Sequence, residues 1–339
     1  MTPDKPRATL KTLARYLDLS VSTVSRALKG GAEVKPETIA RVKAAAAELG
    51  YRPNHSGIGL KTGKTHVIAL VMPVIKPGEI VGDLGTLPLI EGLTAGLADT
   101  PYHLTIIPGR PDQEALEPVR YIAEHGLADG VILNITRSED ERVKYLHSMN
   151  LPLVTFGRTE LSIQHPYYDT DNIDFGYRAA RYLLERGRRK LVMLTPPQHF
   201  LYGWHRKVGF QRALLEAGLD FNEHRQLLIE AKATDYRAQT RQWLHSDWQP
   251  DGIICGTEIA AMGVLAGLHD SGRVVGTDCD LVTLETSPLP EYFRTPVSGF
   301  HQDLHKVGRQ LVSLLLDHID QRKPVRELQI IEKADFIER

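Results

Sequence analysis

From Val67 onward, short and continuously apolar runs alternate with stretches of helical period, and that rhythm limits the folds this chain can adopt. The runs are VIALVMP, HLTIIPG, DGVILN, LPLVTFG, KLVMLTP, LLIEA, DGIICG and DLVTLE. Helical patterns fit between them near 86–99, 112–125, 139–149, 173–186, 204–217, 235–246 and 259–269. A strand that is apolar along its whole length must be covered on both faces, which is the position of a strand in a parallel sheet flanked by helices. The runs outnumber what one open sheet holds comfortably. A single TIM barrel is the rival arrangement. Two doubly wound subdomains joined near residues 158–170 are the better fit, with a helix near 301–320 and a strand in LQIIEKADFI crossing back between them. The apolar share of 42% is enough for such cores. No run approaches the roughly 18 apolar residues of a membrane helix, and the first residues carry no secretion signal. Cys255 and Cys279 are the chain's two cysteines, too few for a disulfide framework or a thiolate metal site, and they fit reduced cytoplasmic thiols.

The first 65 residues have a different texture. LKTLARYL spaces Leu10, Leu13, Ala14 and Leu17 as one helical face. DLS breaks the pattern, and Ser20 is placed to cap a second helix, VSTVSRALKG, which stops at Gly30-Gly31. A third helix, KPETIARVKAAAAELGY, has Pro36 in its first turn. The net charge of the chain is −1, yet residues 1–65 hold twelve Lys/Arg against five Asp/Glu, a net +7, which leaves −8 for the remainder. A basic head on an acidic body points to a polyanion partner for the head alone. Two short helices around a tight turn suit a major-groove reader. On the second helix Val24 and Leu28 face inward, while Val21, Ser22 and Arg26 face out. Arg26 suits guanine or phosphate, Ser22 a base or the backbone, and Val21 a thymine methyl. Lys29 and Lys35 suit phosphate.

ATLKTLARYLDLSVSTVSRALKG followed by VKPETIARVKAAAAELGYRPN resembles the DNA-binding head of LacI/GalR-family bacterial regulators, with KTLA where the family usually has an alanine-rich DVA. The resemblance runs through almost the whole chain. It implies an all-α helix-turn-helix DNA-binding head plus an α/β periplasmic-binding-protein-like effector domain of two doubly wound parallel-sheet subdomains. The implied bounds are 1–52 for the head, 53–65 for a hinge, and 66–339 for the effector and dimerisation domain. Within that last part the N-subdomain is expected at about 66–163 plus 294–322, and the C-subdomain at about 164–293 plus 323–339. The family pattern assigns DNA contact to Thr9, Leu10, Ser20, Val21, Ser22, Thr23, Ser25, Arg26, Lys29, Lys35, Asn54, His55, Leu60 and Lys61. It implies a cytoplasmic homodimer, with a tetramer as the alternative, on a near-palindromic operator. A symmetric pair of small heads doubles the contacts that one head makes.

The body is expected to hold a small ligand beyond the carboxyl ends of its strands. WHRKVGF resembles the family's Arg-x-x-Gly-aromatic signature, which implies that Arg206 grips the effector; Trp204 either stacks on a sugar ring or fills core. LVTLETSPLPEY stands where the family usually reads glycine-tyrosine-Asp-Asp, which puts Glu285 at the effector-binding acid. Thr257 in CGTEIAAMG is expected to line the cleft, while Glu258 only begins a helix. FGRTELSIQHPYYDTDN contributes Arg158, Tyr167, Asp169 and Asp171 near the crossing, where capping is an equal role for Asp171. Gln302 resembles a cleft or crossover residue, and Asp83 lies in a long loop at the cleft mouth. The effector expected is a neutral sugar or glycoside acting as inducer; a sugar phosphate or another small-metabolite corepressor is the alternative. No cofactor and no membrane partner are expected.

Catalysis is weakly supported. The histidines show no close metal spacing and there is no Gly-x-Ser-x-Gly elbow, so no catalytic or metal-binding residue is assigned. A glycoside-processing enzyme is the lesser alternative, since carboxylates such as Asp171 and Glu285 suit hydrolysis and hydroxyl binding equally and the basic head favours the binder; a purely architectural DNA-binding protein, which needs no effector, is the other. SGIGLKTGKTH, residues 56–66, has the look of a phosphate-binding loop but lacks its register: the first glycine of Gly-x4-Gly-Lys-Thr would fall at Ile58. The family resemblance makes it the hinge, with Leu60 as a minor-groove wedge and Lys61 and Lys64 near phosphates. Gly57 and Gly59 each weaken a helix there by about 1 kcal/mol relative to alanine.

Overall fold

The computed structural model describes residues 8–51, 63–72, 84–110, 113–196, 199–229 and 233–339. The chain divides into two compact units, Met1–Thr65 and His66–Arg339. The first unit contains α1 (Leu10–Leu17), α2 (Val21–Leu28) and α3 (Pro36–Glu48). Thr9 caps α1 in a reciprocal box with Thr12, and Asp18 ends the helix in a left-handed conformation. Ser20 caps α2 by accepting from Thr23 N. Leu13, Ala14, Val24, Ala27, Val42, Ala45 and Ala46 are the buried core of the unit.

The second unit is two lobes with one plan. In the first lobe are β1 (Val67–Met72), β2 (His103–Pro108), β3 (Gly130–Leu133), β4 (Leu153–Phe156), β5 (Tyr167–Thr170) and β11 (Gln329–Glu332). They lie in the order β2-β1-β3-β4-β5-β11, all parallel. In the second lobe are β6 (Leu191–Thr195), β7 (Leu227–Ile229), β8 (Gly252–Cys255), β9 (Asp280–Glu285), β10 (Ser298–His301) and β12 (Asp335–Ile337). Their order is β7-β6-β8-β9-β10-β12, with β12 antiparallel. Helices α4 (Thr86–Leu97), α5 (Glu117–Glu124), α6 (Glu141–Ser148) and α12 (Leu304–Ile319) belong with the first sheet. Helices α7 (Asn172–Glu185), α8 (Leu201–Glu216), α9 (Glu223–Gln226), α10 (Ala233–Leu244) and α11 (Glu258–Asp270) belong with the second. Apolar side chains on both faces of each sheet form the four remaining buried clusters. The eight apolar runs are all strands, in two open sheets rather than a barrel.

Two strands went unread in the sequence, and they move the expected boundaries. β5 lies in the first lobe although 164–293 was assigned to the second, and β10 lies in the second although 294–322 was assigned to the first. LQIIEKADFI is not one strand: β11 joins the first sheet and β12 the second. The physical reason is common to all three places. Each crossing follows a completed strand, so β5 pairs before the chain passes to α7, and β10 pairs before it passes to α12. β5 and β10 are four residues each and carry polar residues, which hid them among loop signals.

In both lobes the neighbours β1/β3 and β6/β8 are where strand order reverses, and a ligand crevice is expected beyond their carboxyl ends. One helix contact sets the site directly. A Cβ on Gly209 of α8 would lie 2.0 Å from Ile173 O, and one on Gly176 of α7 would lie 2.2 Å from Arg206 O. Glycine at both positions lets the two backbones touch and brings Arg206 against the start of α7.

Candidate nucleic-acid interface and ligand cleft

On α2 the apolar stripe is spent inward: Val24 and Ala27 are fully buried and Leu28 is half-buried. Val21, Ser22 and Arg26 are exposed together, and Ser22 and Arg26 are one turn apart. Lys29 and Lys35 are also exposed, while Thr23 and Ser25 are half-buried. Three expected contact residues have structural duties. Thr9 and Ser20 are the helix caps, with Ser20 Oγ also 2.8 Å from Ser22 Oγ. Leu10 is half-buried and packs against the core of the unit. Asn54, His55, Leu60, Lys61, Gly57 and Gly59 lie outside the described residues, as does Asp83.

Arg206 is buried in α8. Its Nε donates to Asn172 Oδ1 at 2.9 Å and its Nη1 to Gly256 O at 3.3 Å, and its guanidinium lies over the rings of Phe175 and Tyr202. Asn172 is itself fixed, donating through Nδ2 to Thr170 O. Thr257 follows Gly256, caps α11 and stands half-buried beside this arginine. From the first lobe, Arg158 NH2 reaches His205 Nδ1 at 3.4 Å, and its Nε lies 3.1 Å from Asp169 Oδ2. Burial, and then the Arg158 charge, pushes His205 down to about 4, so it is a neutral acceptor near pH 7. Burial pushes Asp169 up to about 6, with Arg158 opposing.

Several expected ligands are engaged elsewhere. Glu285 is buried and forms a two-pronged pair with Arg339, Oε2–Nη1 2.9 Å and Oε1–Nη2 3.1 Å. A Cβ on Gly299 would lie 2.7 Å from Glu285 Oε2, so the glycine is what lets the carboxylate lie back across β10 toward Arg339. Glu258 does more than open a helix. Its buried carboxylate accepts from the backbone N–H groups of Thr286 and Ser287 and from the Ser287 hydroxyl, pinning the loop after β9. Asp171 caps α7 through Asp174 N. Trp204 is two residues from Arg206, so it points to the other side of α8, 42% exposed beneath Lys207 Nζ. Tyr167 opens β5 beside His165, three residues or roughly 10 Å from the strand's carboxyl end, outside the cleft. Gln302 ties the crossings together, donating from its backbone to Glu285 O and from its amide to the Thr170 hydroxyl. It lines a cavity of about 200 Å3 with Tyr168, Thr170, Lys306 and Glu332, apart from Arg206 and Arg158.

Three residues at the cleft had not been singled out or fully read. Asn134 follows β3, Thr195 ends β6, and Asp169 is the penultimate residue of β5. Asn134 Oδ1 and Thr195 Oγ1 are buried and meet no hydrogen-bond partner among the described residues, while the buried Asp169 Oδ2 has the Arg158 guanidinium as its ionic partner. Buried polar atoms are nearly always satisfied. Two exceptions at strand carboxyl ends, Asn134 and Thr195, mark a place built for polar contact. The strand-end rule pointed to the loops after DGVILN and KLVMLTP, and Asn134 and Thr195 stand at those strand ends. Among the described residues no group of three or more His, Cys, Asp and Glu is placed to hold a metal, and no helix is long and apolar enough to cross a membrane.

Residues 9–54 match the family described as bacterial regulatory proteins, lacI family, and residues 180–339 match the periplasmic binding protein-like domain. The chain is 32% identical over 317 residues to the HTH-type transcriptional regulator AglR of Rhizobium meliloti (strain 1021), covering 91% of this chain and 87% of that one. It is also similar to the CelR transcriptional regulator in its cellobiose complex, at 26% identity, 98% coverage of both chains and a TM-score of 0.70. The lac repressor dimer bound to operator and the anti-inducer ONPF shares the fold at 18% identity, with a TM-score of 0.84 and 98% coverage of both chains. A helix-turn-helix head and a two-lobed periplasmic-binding-protein-like body define a ligand-responsive class of DNA-binding protein. This chain belongs to the LacI family; it is a transcriptional regulator and not an enzyme.

Proposed function

We propose that this chain is a repressor, acting as a homodimer on a near-palindromic operator, whose operator affinity is lowered by a neutral sugar or glycoside held between the two lobes. The observation that carries the ligand class is the pair of unsatisfied atoms Asn134 Oδ1 and Thr195 Oγ1, together with the Asp169 carboxylate that Arg158 holds at a strand end. One is an acceptor and one a hydroxyl, and Asp169 adds a carboxylate acceptor, so they call for a ligand rich in donors. Sugar hydroxyls supply these, whereas a phosphate offers only acceptors near pH 7 and would meet the Asp169 carboxylate. Arg206, Arg158, His205 and Thr257 complete the proposed lining. The cellobiose complex of the related CelR supports the same class. Val21, Ser22 and Arg26 are the proposed base-reading set, with Lys29 and Lys35 on phosphates. The ligand changes operator affinity only so far as it binds two arrangements of the protein unequally.

The test is operator affinity measured with and without a panel of neutral mono- and disaccharides and their phosphates. Release by a neutral sugar is the expected result; a response confined to phosphorylated compounds overturns the ligand class. Thr195→Val keeps shape and removes the unsatisfied hydroxyl. It is expected to raise stability by about 1 kcal/mol while weakening the sugar response. Arg26→Ala is expected to weaken operator binding about tenfold or more with sugar binding intact.

A further inference from the structure

The turn after β3 joins the two lobes through its main chain. Thr136 O accepts from Leu201 N at 3.1 Å, and Arg137 forms an antiparallel bridge with Phe200. Leu201 is the first residue of α8, whose N–H has no acceptor within its own helix. The turn is also strained. Ile135 has φ 51°, a left-handed conformation that a β-branched residue adopts only when its surroundings impose it.

A buried arginine and its partner acid impose it. Arg142 is buried and its Nη2 donates to both Asn134 O (3.1 Å) and Ile135 O (3.0 Å). The same guanidinium pairs with Asp140, Nε–Oδ1 2.9 Å and Nη2–Oδ2 2.7 Å. Asp140 is buried and also accepts from Arg137 N and Arg142 N. Burial works against its charge, but the Arg142 bonds and charge and the two backbone N–H groups outweigh that and hold its carboxyl below the ordinary value. Thr136 Oγ1 donates to Arg158 O, and Gly157 gives the threonine room: a Cβ there would lie 2.5 Å from Thr136 Oγ1.

We infer that residues 134–137 are a latch that holds the two lobes together before any ligand arrives, and that the buried Asp140–Arg142 pair is the positioning device that keeps the latch set. The strained turn aims the Thr136 carbonyl at the opposite lobe and, two residues earlier, the unsatisfied Asn134 Oδ1 at the cleft. Opening the cleft then requires breaking a backbone bridge, and a ligand on Asn134 touches the element that closes over it.

Leu201→Pro tests this. Proline suits a helix N1 position, and Phe200 before it is already extended, so the substitution removes the bridging N–H from a compatible site. Leu201→Ala is the control that removes the side chain and keeps the N–H. Spin labels on Glu139→Cys and Arg212→Cys of the full-length, ligand-free protein report the distance between lobes, since Cys255 and Cys279 are buried. The expected result is one narrow distance distribution for Leu201→Ala, and for Leu201→Pro a shift of the majority to longer distances. Superimposable distributions overturn the latch. Should the proline variant fail to fold, hydrogen exchange of the unsubstituted protein decides: the Leu201 amide is expected to exchange at least 100-fold slower than an unstructured amide, and exchange at the unstructured rate overturns the inference. Neither arm uses a ligand, so the sugar reading stands or falls separately.

Discussion

Glu285 was expected to bind the effector, and its pairing with Arg339 makes a quantitative alternative. Its carboxylate is 1% exposed, against 17% for the arginine side chain. Arg339 Nη1 also donates to Val297 O, and its backbone N–H to Ser298 Oγ. Arg339→Ala removes both prongs of the pair and leaves a carboxylate in the sheet with no cation. Breaking a buried pair from one side costs about 3–5 kcal/mol; because water reaches the Arg339 head, we expect about 3 kcal/mol, roughly a 150-fold change in the folded-to-unfolded ratio. Glu285→Met in the same chain removes the stranded charge, and the double variant should recover to within about 1 kcal/mol of the parent, as replacing both partners by apolar groups is often neutral. Urea unfolding followed by tryptophan fluorescence suits the question, because Trp204, Trp243 and Trp248 all belong to the second lobe that holds the pair. An Arg339→Ala cost under about 1 kcal/mol, or a double variant no more stable than the single one, refutes the reasoning and returns Glu285 to the candidate ligands.

Two further outcomes are expected. Gly209→Ala places a methyl 2.0 Å from Ile173 O, so α8 must shift; the cost is about 1–3 kcal/mol, read from the urea midpoint, and the sugar response should fall because Arg206 rides on that helix. The depressed His205 binds a proton less readily folded than unfolded, so its contribution is complete above about pH 6.5 and is lost as the pH falls toward 4. Asp169, raised to about 6, works the other way: its burial penalty is present above that value and relieved below it. His205→Gln should therefore gain stability relative to the parent as the pH falls from 6.5 to 4, and a pH-independent difference would contradict the assignment.

The architecture was legible because parallel strands are apolar along their length. VIALVM, VIL, LVMLT, GIIC and DLVTLE needed no tertiary information to be seen as strands. β5 and β10 were not legible, since YYDT and SGFH take their strand character from pairing: β5 with β11 about 160 residues downstream, and β10 with β9 and β12 on either side. The head could be read almost to the residue, because caps and helical faces are local. The cleft was half legible. Arg206 is located by its contact with α7, which Gly209 of its own motif permits. Acids resist this kind of reading: Glu258, Glu285 and Asp171 all sit at strand or helix ends, and only the fold shows that each already has an internal donor. The unsatisfied Asn134 and Thr195 could be located by the strand-end rule, but their lack of partners is a property of the folded interior.

The two crossings near residues 171 and 302, with the third near 333, also govern the order in which the protein is made. β11 completes the first sheet by pairing with β5, about 160 residues upstream, and β12 completes the second only a few residues later. During synthesis neither lobe has its full set of strands until residues beyond 329 have left the ribosome, and then both gain them almost together. The three-helix head, whose core contacts among the described residues all lie within residues 10–51, has no such delay. A nascent chain therefore carries a finished DNA reader well before it carries a finished ligand sensor.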